Sequence, residues 1–176
     1  MERAKELYLH YCGNRYFMAL DGDEVEYDMY HVSKETEETW RKEFLDGFFA
    51  QKPHGKDALA SYSQATEFMK GDRSDWCWEE VLHYPFRSDW LDDVTILFML
   101  QRSFRLGERW ARKGKLSREA AAAYLQELDA FSQEVQQRAE NGTLSRAGDY
   151  DRLEFADPTH VADYMESLRR SWAELV

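Results

Sequence analysis

The sequence contains few cysteines. Only Cys12 and Cys77 occur among 176 residues, whereas secreted domains that depend on disulfides are much richer in cysteine. This scarcity argues against a disulfide framework and indicates reduced thiols, so we expect a cytoplasmic location. Cys77 stands between Trp76 and Trp78, which predicts a buried and unreactive thiol.

Long apolar runs are also missing. The longest one covers residues 96–100, and a helix that crosses a bilayer needs roughly 20 apolar residues. The N-terminal segment is charged and lacks the apolar stretch of a secretory signal peptide. We therefore expect no association with a membrane.

Basic residues are outnumbered. The chain has 23 Lys and Arg against 34 Asp and Glu, a formal net charge of −11. Such a charge disfavours nucleic acid as a partner and favours another protein, one with a basic surface, while a homo-oligomer remains compatible with it. Apolar residues make up 43% and aromatic residues 15%, which is enough for a core and predicts one domain over residues 1–176.

Recognisable catalytic motifs are absent. The sequence has no G-x-S-x-G, no glycine-rich phosphate loop and no dinucleotide fingerprint. We therefore predict no catalytic residue and no cofactor, and we favour a protein that is not an enzyme. Catalytic groups that assemble only in space leave no motif, so the enzyme question stays open at this point.

The stretch ALDGDEVEYD, residues 19–28, resembles a calcium loop only superficially. Counting from Asp21, an EF-hand needs an oxygen ligand, a glycine and a glutamate where this chain has Val25, Glu26 and Val32. We therefore reject a calcium site here.

Glu-x-x-His spacing, which serves di-iron centres in helical bundles, occurs once, at Glu80 and His83. Two further pairs have the same spacing with aspartate: Asp28/His31 and Asp157/His160. In so acidic a chain such pairs arise easily by chance, so we predict no metal.

Residues on both sides of Asp21 and Gly22 alternate between apolar and other side chains. Alternation around an Asp-Gly pair is typical of a β-hairpin, which we predict at about residues 15–31. The alternative is an irregular loop that joins two helices.

The rest of the chain has the apolar spacing of helices, interrupted by glycine and proline. We predict a helix at residues 56–70, a short one at 74–83 ended by Pro85, and a last one capped by Asp157 with Pro158 at its first position. The fold class is therefore mainly α, a single-domain bundle of six or seven helices with a small N-terminal β-hairpin.

The most apolar segment runs from residue 88 to about 113, and we place its helix at the centre of the domain. Gly114 is expected to end this helix, and Ser117 to begin the next one, which ends near residue 141. We predict an antiparallel helix pair at about 88–141.

Aromatic residues are concentrated between residues 76 and 90. Their simplest role is to fill the core at a corner between two helices. Because Trp and Tyr are also favoured in ligand pockets and at protein interfaces, four of them are candidates for an aromatic pocket: Trp76, Trp78, Tyr84 and Trp90.

A basic stripe is the best-defined polar feature. Arg102, Arg105, Arg109 and Arg112 are spaced three or four residues apart, which places them on one side of a helix. They either pair with acids within the fold or bind an anion or an acidic partner, since arginine presents a planar fork to carboxylate and phosphate.

The charge layout and the absent motifs together favour one function. We predict a cytoplasmic, non-enzymatic protein that binds another macromolecule, with an inhibitor- or antitoxin-like role against a basic partner as its simplest form. The alternative is a helical bundle that binds or converts a small molecule in an aromatic-lined pocket near Trp76–Trp90.

Overall fold

The computed structural model of the protein describes residues 1–69, 77–146, 155 and 157–175. Nine α-helices and no strand form within these residues. The helices are α1 Glu2–His10, α2 Arg15–Asp21, α3 Glu24–Met29, α4 Lys34–Ala50, α5 Gly55–Phe68, α6 Trp78–Arg87, α7 Asp93–Arg112, α8 Arg118–Glu140 and α9 Pro158–Ala173. The predicted mainly α class is confirmed. In the part of the chain that is described, no helix combines the length and apolar character needed to cross a membrane.

Side-chain caps set the beginnings of the longer helices. Four residues accept hydrogen bonds from backbone N–H groups of the first helical turn: Ser33, Asp92, Ser117 and Asp157. Each satisfies a donor that has no partner inside its own helix. The predicted cap at Asp157, followed by Pro158 at the first helical position, is present.

The predicted β-hairpin at about 15–31 is wrong, because two short helices, α2 and α3, occupy this segment. The Asn14 side chain accepts hydrogen bonds from two N–H groups in the first turn of α2. Gly22 ends α2 with a φ of 84°, a left-handed conformation that glycine adopts without strain. The two additional helices also explain why the predicted count of six or seven is too low.

Pro85 lies inside α6, so the predicted helix end at this residue is wrong. Proline has no N–H, which leaves the carbonyl of Val81, four residues earlier, without its helical donor. The hydroxyl of Tyr62, in α5, donates to that carbonyl oxygen at 3.0 Å. Because the neighbouring helix supplies the missing hydrogen bond, α6 continues to Arg87. Gly71 and Ser74, the predicted stop and start before α6, lie outside the described residues.

Helix α7 lies at the centre of the core, where it contacts α5, α6 and α9. Arg138 in the last turn of α8 forms an ion pair of 2.9 Å with Asp93 in the first turn of α7, which is the placement expected of antiparallel helices. Helix α8, however, packs mainly against α9, and the antiparallel helix pair at about 88–141 stays a prediction. The extent of the domain, residues 1–176, stays a prediction.

Candidate functional site

The four arginines of the predicted stripe line one cavity of about 400 Å³ beside α7. Thr66 and Glu67, from the last turn of α5, form its opposite side, and Leu106 and Glu108 contribute from α7 itself. The stripe faces this cavity because the neighbouring residues Ser103 and Gly107 are buried against the core. The helix can therefore direct only its remaining side toward the surface.

Charge in this arginine cavity is only partly compensated. Arg112 pairs with Glu108 at 2.7 Å, within the same helix. Arg102, Arg105 and Arg109 form no ion pair with any residue in the described part of the chain. Because like charges along a helix face repel each other, three guanidinium groups in one cavity that lack an ion pair in the described part of the chain favour an incoming anion.

Sequence reasoning identified the arginines but missed the residues that complete the cavity. Thr66 and Glu67 lie about 40 residues before the stripe, and no local pattern indicates that α5 ends beside α7. The sequence offers only a general indication of their role, because residues in the last turn of a helix often contact the neighbouring helix. Only the contact between α5 and α7 identifies them.

The described members of the predicted aromatic pocket are packed against other rings. Trp78 stacks on Trp110 with centroids 5.2 Å apart, and Tyr84 stacks on Tyr62 at 5.7 Å. The Trp90 indole N–H donates to the backbone oxygen of residue 53 at 3.2 Å. These contacts are those of side chains that fill space between helices.

Trp76, the fourth member of the predicted aromatic pocket, lies outside the described residues. A role for this group in ligand binding therefore stays a prediction.

A second cavity, of about 540 Å³, lies between the end of α6, the start of α7 and α8. Phe86, Leu91 and Phe131 supply part of its apolar lining. Its buried carboxylate, Asp93, accepts a hydrogen bond from the backbone N–H of Ser145 at 2.9 Å and pairs with a guanidinium of α8. The buried carboxylate of this second cavity is thus already engaged.

The three acid-x-x-His pairs are not organised as metal ligands. His83 is buried, and its Nδ1 lies 2.5 Å from a carboxylate oxygen of Glu127 rather than near Glu80. Asp28 pairs with Arg15, and Asp157 caps α9. Among the described residues no group of three His, Cys, Asp or Glu could hold a metal ion.

Cys77 is buried, and burial raises the pKa of its thiol to about 12. An unfolded cysteine has a pKa of about 8.5, so the fold holds the neutral thiol. The stability linked to Cys77 is fully present below about pH 8.5. It is lost as the pH rises through that value toward 12, because only the unfolded chain then releases the proton.

We expect the two thiols to differ in reactivity. At pH 8 a disulfide reagent such as DTNB should modify the half-buried Cys12, while Cys77 should react only when the chain is unfolded in urea. Mass spectrometry of Cys12→Ser and Cys77→Ser assigns each reaction. Rapid modification of Cys77 in the native protein would contradict its burial.

Comparison of the chain with protein-family models, curated proteins and solved structures finds no match.

Proposed function

We propose that the protein acts in the cytoplasm by binding another protein, and that the arginine cavity receives an acidic segment of that partner. The observation that supports this most is the convergence of four arginines on one cavity, three of them without an ion-pair partner in the described residues. Inhibitors and antitoxin-like proteins act in this way, by binding a partner without catalysing a reaction.

The length of the stripe favours a chain of anionic groups over a single small anion. Ten residues separate Arg102 from Arg112, which corresponds to about 15 Å along a helix. A lone phosphate or carboxylate engages one or two guanidinium groups. An extended peptide advances about 3.3 Å per residue, so four or five residues with alternate acids match the row.

Net charge distinguishes a protein partner from nucleic acid. A polynucleotide is longer than the cavity, so its phosphates would also lie against the rest of the protein surface. They would be repelled there, because the chain has a net charge of −11. A short acidic segment places its charge only where the arginines are. Charges elsewhere are screened over about 8 Å at physiological ionic strength, so the local field of the cavity governs this contact.

The alternative remains a small-molecule or enzymatic role near Trp76–Trp90. The feature that favours it is the cavity lined by Phe86, Leu91 and Phe131 at the α6–α7 connection. Its buried carboxylate, Asp93, is paired within the protein, whereas three guanidinium groups of the arginine cavity form no ion pair with a described residue. We therefore rank it second.

The test uses Arg105→Gln/Arg109→Gln and a synthetic octapeptide of alternating Glu and Ser as probe. We expect the wild type to bind the peptide and the double variant to bind it at least about tenfold more weakly, since each charged hydrogen bond contributes about 1.5–3 kcal/mol. Added salt should weaken binding. Removing two of four like charges should leave the free energy of unfolding in urea unchanged or raise it slightly.

The matched control is Arg87→Gln/Arg170→Gln, which removes two exposed arginines outside the cavity and should leave peptide binding intact. A Lys-Ser octapeptide and a single-stranded oligonucleotide complete the comparison. A clear loss of stability in the cavity variant, together with unchanged peptide binding, would mean that the arginines only support the fold. If the oligonucleotide bound more tightly than the Glu/Ser peptide, the partner of the cavity would be a nucleic acid and not an acidic protein segment.

A further inference from the structure

Large apolar side chains are exposed in one region of the described chain. Six are between 51% and 73% exposed, and all six lie within residues 1–29: Met1, Tyr16, Phe17, Leu20, Val25 and Met29. Single exposed apolar residues are ordinary on protein surfaces, but such a concentration marks an interaction surface. Five belong to α2 and α3, and we call these five the α2–α3 surface.

The α2–α3 surface consists of two short rows. Tyr16 and Leu20 lie four residues apart on α2, and Val25 and Met29 lie four residues apart on α3, so each pair shares one side of its helix. The two helices contact each other. Two exposed rows on contacting helices suit the apolar face of a partner helix, whose side chains recur every three or four residues.

The five side chains of the α2–α3 surface are not needed to form the buried core. Within α2 and α3 the buried residues are Met18 and Tyr27, one in each helix. Helices of six or seven residues are marginal in water, and exposed Leu or Val adds nothing to their stability.

Acidic groups accompany this surface. Residues 15–29 contain five acids and one base, a net charge of −4. The single base, Arg15, already pairs with Glu24 and Asp28, and Glu26 pairs with Arg3 of α1. Asp21 and Asp23 accept a hydrogen bond from the Tyr11 hydroxyl, and within the described residues neither pairs with a cation. The negative charge of Asp21 and Asp23 therefore favours a binding partner with basic side chains.

We propose that the α2–α3 surface binds a basic amphipathic helix of a partner protein, with Leu20, Val25 and Met29 against its apolar face and Asp21 and Asp23 near its Lys or Arg side chains. A second copy of this chain suits the surface less well, because two net-negative faces would meet in a symmetric dimer. An anionic membrane is disfavoured by the same charge.

The test uses a synthetic 18-residue helix with leucine on one face and lysine on the other, and measures its dissociation constant by calorimetry. We compare the wild type with Leu20→Ser/Val25→Ser/Met29→Ser, which keeps every charge. We expect at least tenfold weaker binding by this variant. A Leu/Glu helix of the same pattern should not bind, and a scrambled Leu/Lys peptide should bind weakly and equally to both proteins.

The matched control is Ala122→Ser/Ala123→Ser/Ala130→Ser, three exposed positions on α8, which should bind the Leu/Lys helix like the wild type. Circular dichroism and urea unfolding verify that the variants fold. Should the triple variant fail to fold, Tyr16→Ser, at a 68% exposed position, tests the surface alone and should also weaken binding.

Three results would overturn the proposal. Equal binding by the triple variant and the wild type would show that only charge attracts the peptide. A dimer in sedimentation equilibrium that Leu20→Ser dissociates would assign the surface to a second copy. Binding to phosphatidylcholine vesicles that the triple variant loses, with no binding of the Leu/Lys helix, would assign it to a lipid surface.

Discussion

Gly107→Ala should destabilise the protein by about 1–3 kcal/mol, although alanine is the better helix former. Gly107 lies inside α7, and a Cβ there would overlap Cη2 of Trp172 and stand 2.7 and 2.8 Å from Cζ3 and Cζ2. Overpacking of a filled core typically costs about 1–3 kcal/mol. Alanine recovers only about 1 kcal/mol of helix propensity, so the clash should dominate. Urea unfolding measures the difference.

The Trp172 ring has little room to move away. It is fully buried in α9, it stacks on Tyr124 with centroids 4.1 Å apart, and Phe104 meets it edge-on at 5.9 Å. A shift of the indole would therefore disturb two further rings. Glycine at position 107 therefore leaves the space that the Trp172 ring occupies.

Gly47→Ala is the matched control for Gly107→Ala. Gly47 lies inside α4, and a Cβ there would meet no atom within 4 Å beyond its chain neighbours and the backbone of its own helix. Alanine should therefore stabilise the protein by up to about 1 kcal/mol. In a Trp172→Leu background, which removes the clashing atoms, Gly107→Ala should become much less costly. Equal effects at both glycines would show that α7 and α9 are not in close contact at Gly107.

Helices with a broad apolar face and a capped start could be predicted from the sequence. Ser117 and Asp157 indicate where their helices begin, because a side-chain oxygen beside the first turn accepts a hydrogen bond from an N–H that has no partner within the helix. The apolar spacing after each cap then indicates a buried face. These signals act over a few neighbouring residues, and the chain displays them directly.

The failed predictions concern interactions that local patterns do not contain. Helices α2 and α3 bury one residue each, and apolar residues lie on their exposed as well as their buried sides. The resulting alternation resembles that of a strand. Pro85 would end a helix if α6 were alone, but the Tyr62 hydroxyl from α5 satisfies the Val81 carbonyl. A donor 19 residues away in the chain cannot be inferred from the spacing around a proline.

The candidate site was predicted in part for the same reason. Periodicity alone places the four arginines on one side of α7, and the structure has all four lining one cavity. The opposite side, formed by Thr66 and Glu67, depends on how α5 meets α7. The exposed positions of Leu20, Val25 and Met29 also required the structure, because a sequence does not distinguish an apolar residue in the core from one left at the surface.

Leu97→Ala and Leu128→Ala should each cost about 2–5 kcal/mol in the free energy of unfolding. Both side chains are fully buried, Leu97 in α7 and Leu128 in α8. Each substitution removes apolar surface from the core and leaves a cavity that the neighbouring helices fill only in part. Unfolding in urea, followed by tryptophan fluorescence, measures both losses.

Leu20→Ala serves as the control of identical chemistry, because Leu20 is 63% exposed and belongs to the α2–α3 surface. The same truncation there should change the free energy of unfolding by no more than about 0.5 kcal/mol, the range of ordinary surface substitutions. It should nevertheless weaken binding of the Leu/Lys helix, because that side chain is left for a partner. A stability loss at Leu20 as large as at Leu97 would place it in the core. A loss below about 0.5 kcal/mol at Leu97 or Leu128 would mean that α7 or α8 is rotated about its axis.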